Sequence, residues 1–218
     1  MKPIKALLTT SLLIASAISL TACSSGPSDS DAKQAIASTL ADCQYLSVSK
    51  FEKVNGIAQG ERNYQVDVKY TIDLTPTPDI KRFASETYPA YFQALKTKVT
   101  HAKEVRSAWD TDQDAWVKAN PGSLASDFEV AYPDRWKAYQ AVIGDVLTGD
   151  QQLESAPINA KHQMAANLVQ ACPGLNAALV RELFSGVEPV ERYAEDVGIA
   201  FTGTIPMVKT DNGWQAAR

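Results

Sequence analysis

The chain has 218 residues, 45% of them hydrophobic, with 21 basic and 25 acidic side chains and a formal charge of −4 at pH 7. A chain of that length suits one domain and can bury roughly 70% of its unfolded surface, so neither a structural metal nor a dense disulfide framework is needed to hold a core. The acidic balance disfavours nucleic acid and anionic lipid surfaces as partners, because both demand a net positive face.

The first element is a leader. Lys2 and Lys5 precede an apolar run from Ala6 to Leu20, diluted by Thr9, Thr10, Ser11, Ser16 and Ser19. A basic start followed by a short apolar stretch makes residues 1–22 a signal peptide. The run of about 15 residues falls short of the ~20 that a helix needs to cross a bilayer. Leu20-Thr21-Ala22-Cys23 then puts a small-residue cleavage site directly before a nucleophilic thiol. These four residues resemble the lipobox of bacterial lipoproteins. The resemblance implies cleavage before Cys23, thioether lipidation of its sulfur, and acylation of the new amino group with a fatty acid such as palmitate. Ser24 resembles the residue type that lets such proteins be sorted to the outer membrane, which implies a lipid-anchored protein there, facing the periplasm. Without Lys2 and Lys5 the mature chain carries a formal charge of −6.

Residues 23–30 are small, polar and breaker-rich, as in a flexible tether between lipid and domain. From Asp31, read as a helix cap, Ala35, Ile36, Leu40 and Cys43 share a modestly apolar helical face. Two strands follow, Tyr45 to Val54 and Tyr64 to Leu74, joined across Asn55-Gly56 and Gly60. In the second, Tyr64, Val66, Val68, Tyr70, Ile72 and Leu74 alternate with Gln65, Asp67, Lys69, Thr71 and Asp73, the pattern of a half-buried antiparallel strand.

Thr75-Pro76-Thr77-Pro78 stops that strand, and Thr77 before Pro78 starts a helix. Residues 79–184 read as a helical insertion. Pro89 is expected to break or kink its first piece. A second piece carries Val99, Ala102, Val105, Trp109 and Trp116 toward Asn120-Pro121-Gly122. A third starts after Pro133, with Trp136, Tyr139, Ile143, Val146 and Leu147 as an apolar stripe ending at Gly149, and Ser126 with Glu129 as a capping box ahead of it. Two shorter helices carry Met164, Leu168 and Cys172, then Leu175, Leu179 and Leu183, on either side of Pro173-Gly174. Strands return from Val197 to Val208 and from Trp214 to Ala217, with Asn212-Gly213 as the hairpin turn.

The order predicts an α+β domain over 31–218: an antiparallel sheet of about four strands, an N-terminal helix, and the large helical insertion between strands two and three. It resembles the element order of cystatin-like and NTF2-like domains, a resemblance that covers roughly half the chain and transfers no functional residue. With Cys23 assigned to lipid, Cys43 and Cys172 remain in a chain sent to an oxidising compartment, and they are expected to form a disulfide. A thiol nucleophile would want a base beside it, and neither cysteine has a histidine nearby in sequence.

Candidate chemistry is sparse. Asp110, Asp112 and Asp114 space like the start of a calcium loop, but Ala115 stands where that loop turns on glycine and Pro121 where it needs a bidentate Glu. They read as a solvated acidic helix face. The two histidines, His101 and His162, and the cysteines lack the close pair spacing of zinc motifs. No metal or cofactor is expected, and no nucleophile elbow, phosphate loop or zinc-protease helix occurs. Trp109, Trp116, Trp136 and Tyr139 are candidate binding residues, with a core role as the competing reading. The leading function is therefore a non-enzymatic envelope lipoprotein that binds an envelope protein. The alternatives are a periplasmic inhibitor or immunity protein against a lytic enzyme or toxin, and a cell-wall or glycan-processing enzyme.

Lipid on Cys23 generates the first prediction. Each buried methylene contributes about 0.8 kcal/mol, so several acyl chains anchor stably where one is marginal. Replacing Cys23 by Ala is expected to move the protein from the membrane to the soluble fraction. Wild-type protein found soluble with an unmodified Cys23 by mass spectrometry overturns the assignment.

Overall fold

The computed structural model describes residues 26–217. The stretch read as a leader, the Leu20-Thr21-Ala22-Cys23 motif and the first residues read as a tether lie outside them. Helix α1 spans Asp29–Ala37 and continues as a single 3-10 turn, Ser38–Leu40. Its cap is Ser28 and not Asp31. The Ser28 hydroxyl accepts from the Asp31 amide at 3.1 Å, and the Asp31 carboxylate reaches back to the Ser28 amide at 2.8 Å. Together they satisfy two groups that the first turn would otherwise leave open. The hydrogen bonds from Ser28 hold the Asp31 carboxyl below its usual range. Structure thus begins inside the stretch read as tether, and the Lys53 ammonium fastens it further by donating to the Pro27 carbonyl at 2.6 Å.

Strands β1 (Leu46–Ala58), β2 (Asn63–Leu74), β3 (Val197–Thr210) and β4 (Gly213–Ala216) form one antiparallel sheet in the order β1-β2-β3-β4. The α+β class and the insertion between strands two and three hold as expected. Asn55-Gly56 is not a turn: β1 runs through both, and the chain reverses at Gln59–Arg62. Two bulges in β1, between Ser49 and Glu52 and between Lys53 and Asn55, absorb the irregular residues without ending the strand. The last hairpin is displaced by one residue, with Thr210 paired to Gly213 and Asp211-Asn212 between them. Gly213 takes φ +99°, the value a side chain would resist, and so starts β4.

Both helical layers lie on the same face of the sheet. Val66, Val68 and Met207 pack on Ala32, Ala35 and Ile36 of α1. Ile72 and Leu74, of the same parity along β2, pack with the helical insertion. The opposite face carries Asp67, Lys69, Thr202 and Thr204, although Thr71 on that face is buried.

The insertion begins with α2 (Pro78–Arg82), whose Thr77 cap accepts from the Ile80 amide at 3.1 Å. A π-helical turn, Phe83–Thr87, leads without a break into α3 (Tyr88–Ala119). Pro89 does not end the helix. The widened turn just before it, with the Tyr88 amide bonded to the Phe83 carbonyl, accommodates the ring and the missing N–H. After the short α4 (Ala125–Ala131) comes α5 (Pro133–Ala171), a helix of 39 residues that passes through both Gly149 and Pro157. The expected stop at Gly149 and the separate helix around Met164 are therefore corrected. The cap of α4 also differs: Asp127, not Glu129, reaches back, to the Leu124 amide at 2.9 Å, and Ser126 lies inside the helix.

Tertiary contact overrides the breakers. Ala156, Ala160, Met164 and Leu168 of α5 are buried in the main core with Leu95 and Val99 of α3. Gly149 is buried at the crossing, where an added Cβ would stand 2.7 Å from Val99 Cγ2. Lys98–Asp145, Lys103–Asp150 and Arg135–Asp112 link the two helices across the same seam. Cys172 closes α5 and is bonded to Cys43, with Cα atoms 5.3 Å apart, as expected from the cysteine count. Cys43 lies beyond α1 and its 3-10 turn, after two left-handed residues, Ala41 and Asp42. A separation of 129 residues gives this bond roughly 4 to 5 kcal/mol in the chain-entropy model. Helix α6 (Ala177–Ser185), capped by Asn176 after the Pro173-Gly174 break, and a 3-10 turn, Val190–Ala194, return the chain to β3.

Gly149→Ala is expected to destabilise the fold by about 1 to 3 kcal/mol, the overpacking range, although alanine is the better helix former by about 1 kcal/mol. The double variant Val99→Ala/Gly149→Ala should recover part of that loss in urea unfolding. A single variant as stable as wild type contradicts the close α3–α5 approach.

Candidate functional site

The four aromatic candidates gather at the far end of the α3–α5 hairpin, away from the sheet. Trp109 from α3 is buried and touches Trp136 and Tyr139 from α5, with ring centroids 5.3 and 5.5 Å away. Phe128 of α4 closes the cluster edge-on to Trp109 at 4.8 Å and is itself fully buried. Trp116 joins only through Phe128, at 5.9 Å, and Tyr132 packs on Phe128 at 4.7 Å. The Arg135 guanidinium sits 5.8 Å from the Phe128 ring and 6.0 Å from that of Tyr132 while pairing with Asp112. Sequence reading missed Phe128 and Tyr132, although their i, i+4 spacing is a helical contact signal.

This is mainly a core for the hairpin tip. Trp109 and Phe128 supply its interior, and each aromatic pair adds about 0.5 to 1.5 kcal/mol beyond area burial. Trp116, Trp136 and Tyr139 are half-buried, and Leu124, just before α4, and Val130 on it stand in solvent. The stripe read along the start of α5 is only partly covered: Ile143 and Leu147 are exposed, Leu147 by 75%.

A second apolar region lies where the sequence pointed to nothing. The C-terminal part of α5 and α6 run antiparallel across the Pro173-Gly174 break and leave an open groove of about 630 Å³ between them. Its walls are Ile158, Ala165, Ala166, Val169, Val180 and Phe184. Ala165 packs against the main core, and Val180 and Phe184 of α6 are buried where the groove meets that core. The Phe184 ring rests 5.0 Å from that of Tyr193, whose hydroxyl donates to the Leu183 carbonyl at 3.1 Å. Burial pushes the Tyr193 phenol up, with Glu188 adding to the effect. Lys161, His162 and Arg181 edge the groove. The Lys161 ammonium donates to the Gly186 carbonyl at 2.5 Å, beyond the end of α6, which fixes its position. The sequence reading places these walls on two helices flanking Pro173-Gly174, but periodicity alone does not say which sides of the two helices face each other.

The acidic candidates do not converge. Asp110, Asp112 and Asp114 lie in the C-terminal third of α3, with Asp110 beside Arg106 and Asp112 paired to Arg135. Among the described residues no group of three or more His, Cys, Asp and Glu is arranged to hold a metal ion. No helix among them is long and apolar enough to cross a membrane. Cys23 lies outside the described residues, and Cys43 and Cys172 are both in the disulfide. Compared with protein-family models, curated proteins and solved structures, the chain matches none.

Trp109→Ala is expected to destabilise the protein by about 3 to 5 kcal/mol, the range for emptying a buried aromatic site, and Trp116→Ala by clearly less. Thermal unfolding of the two variants measures the difference. Equal losses would mean that the tip is not packed around Trp109.

Proposed function

We propose that this chain is a non-enzymatic cell-envelope lipoprotein, held at the outer membrane by acylated Cys23 and facing the periplasm, whose helical insertion binds another envelope protein. The observation that carries the reading is the α5–α6 groove. A concave site of this volume, lined mainly by apolar side chains with a few polar groups at its edge, has the character of a binding site. Two antiparallel helices separated by small residues form a trough suited to an amphipathic helix, whose apolar side would lie against Val169, Val180 and Phe184. The rim selects the partner's charge. Lys161 and Arg181 give a locally basic border to a chain that is acidic overall, so an acidic flank on the docked helix is favoured and a basic one is repelled. The aromatic tip supports this role by holding the long hairpin together. If the bound protein is a lytic enzyme or toxin, the same surface makes the chain an inhibitor.

Photo-crosslinking residues placed at Ala166 and Val169 in intact cells are expected to capture one envelope protein, and Arg181→Glu is expected to lower the yield several-fold. Capture only from a probe at Lys69, on the opposite face of the sheet, overturns the assignment of binding to the groove.

A further inference from the structure

Strand β3 is longer than the strand that covers its outer side. β2 pairs with it from Val197 to Val208, but β4 pairs only from Met207 to Thr210. The Ala217 amide donates to the Pro206 carbonyl at 2.8 Å, so the backbone of Pro206 faces away from β2. The Lys209 amide, one parity off, donates to the Arg62 carbonyl on the β2 side at 2.8 Å. By the two-residue alternation of an antiparallel ladder, Gly198, Ala200, Thr202 and Thr204 face the same way as Pro206. Among the described residues no strand lies beside them, and all four are exposed. They form a row of open N–H and C=O groups about 20 Å long, which only another extended backbone can satisfy in full.

The two edges of the sheet are built differently. β1 carries Lys50, Glu52 and Lys53, two bulges and a positive φ at Lys50, all of which obstruct strand addition. Val197–Ile205 has no charge, no proline and no bulge. Gly203 adds a second observation. Its φ is not positive, and a Cβ built there would meet nothing within 4 Å. Neither its conformation nor packing inside the chain calls for glycine, and a glycine in a strand interior often marks close approach by another backbone.

We propose that a second copy of this chain adds its own β3 antiparallel across this edge, about a two-fold axis at Phe201. In the register centred there, all four outward residues of each copy pair: Gly198 with Thr204 of the second copy, and Ala200 with its Thr202. Phe201 meets its symmetry mate as a non-hydrogen-bonded pair, and Ile199 lies opposite Gly203, where the space is open. The uncharged strand brings no like charges together at the seam. Two four-stranded sheets thereby become one of eight strands. A single strand pair lies well below the ~1,200 Å² of stable complexes, so the association depends on concentration, and anchoring both copies on one membrane would favour it.

Sedimentation velocity on the mature chain in mild detergent is expected to pass from monomer to dimer between about 1 and 500 μM, the range for an interface of this size. Ala200→Lys should weaken the dimer at least tenfold, and Leu147→Lys, on the exposed side of α5, should leave it unchanged. Cβ atoms of a non-hydrogen-bonded pair approach about 4.5 to 5.5 Å, so Phe201→Cys should cross-link to itself under oxidation and Ile199→Cys should not. Hydrogen exchange on the unmodified chain gives a test free of mutation: the amides of Ala200, Thr202 and Thr204 should slow as concentration rises. A chain monomeric at 500 μM overturns the proposal. So does a dimer indifferent to Ala200→Lys, or one whose Ile199→Cys form cross-links as well as Phe201→Cys.

Discussion

The Cys43–Cys172 bond lies where the N-terminal turn, the end of α5 and the start of α6 meet, and much of the architecture follows from it. Both cysteines are buried among Leu40, Leu46, Leu168 and Leu175, so the covalent tie and the hydrophobic contact act at one point. The insertion leaves the sheet after β2 and must return to β3 more than a hundred residues later. Fixing the end of α5 to the segment before β1 sets where the long hairpin starts and finishes. From that base, α3 and α5 run outward with their crossing fixed by Gly149 against Val99. The aromatic tip then needs only local contacts to close.

A sheet covered on one face sets the remaining surfaces. α1 and the insertion divide one face between them, the first over Val66 and Val68, the second over Ile72 and Leu74. The other face is satisfied by polar side chains such as Thr204, whose hydroxyl donates to Asp67 at 2.7 Å. This division leaves β3 with hydrophobic side chains on its inner face and an open backbone edge. β4 is only four residues long and shields just the end of that edge. The groove has a related origin. Small residues on α5 let α6 dock at its buried side without filling the surface between the helices.

The aromatic residues and the groove show how one composition serves two purposes. Trp109 and Phe128 are interior, and their neighbours are progressively more exposed toward Tyr132. Large rings concentrated at the end of a long hairpin stabilise a region that the main core does not reach. The groove instead is walled mostly by alanines and aliphatics, with the aromatic Phe184 buried at its base, so a search for exposed interface aromatics passes over it. Its exposure is a property of the helix pair and not of any single residue.

The sequence by itself determined the class and order of elements, because period-two alternation in β2, the Thr77-Pro78 start and the Asp211-Asn212-Gly213 turn are local signals with local causes. It also determined the cysteine pairing, since only two cysteines remained for the folded domain, and it carries the lipobox resemblance at Cys23. Tertiary structure alone decided that α5 runs through Gly149 and Pro157, because burial against α3 outweighs the local preference of either residue for a break. It decided that Asn55-Gly56 lies within a strand, since pairing with β2 continues across the bulges. It also decided which apolar residues remain in solvent. Periodicity identifies an apolar side of a helix, but only the arrangement of its neighbours determines whether that side is covered, as at Met164, or left open, as at Val169.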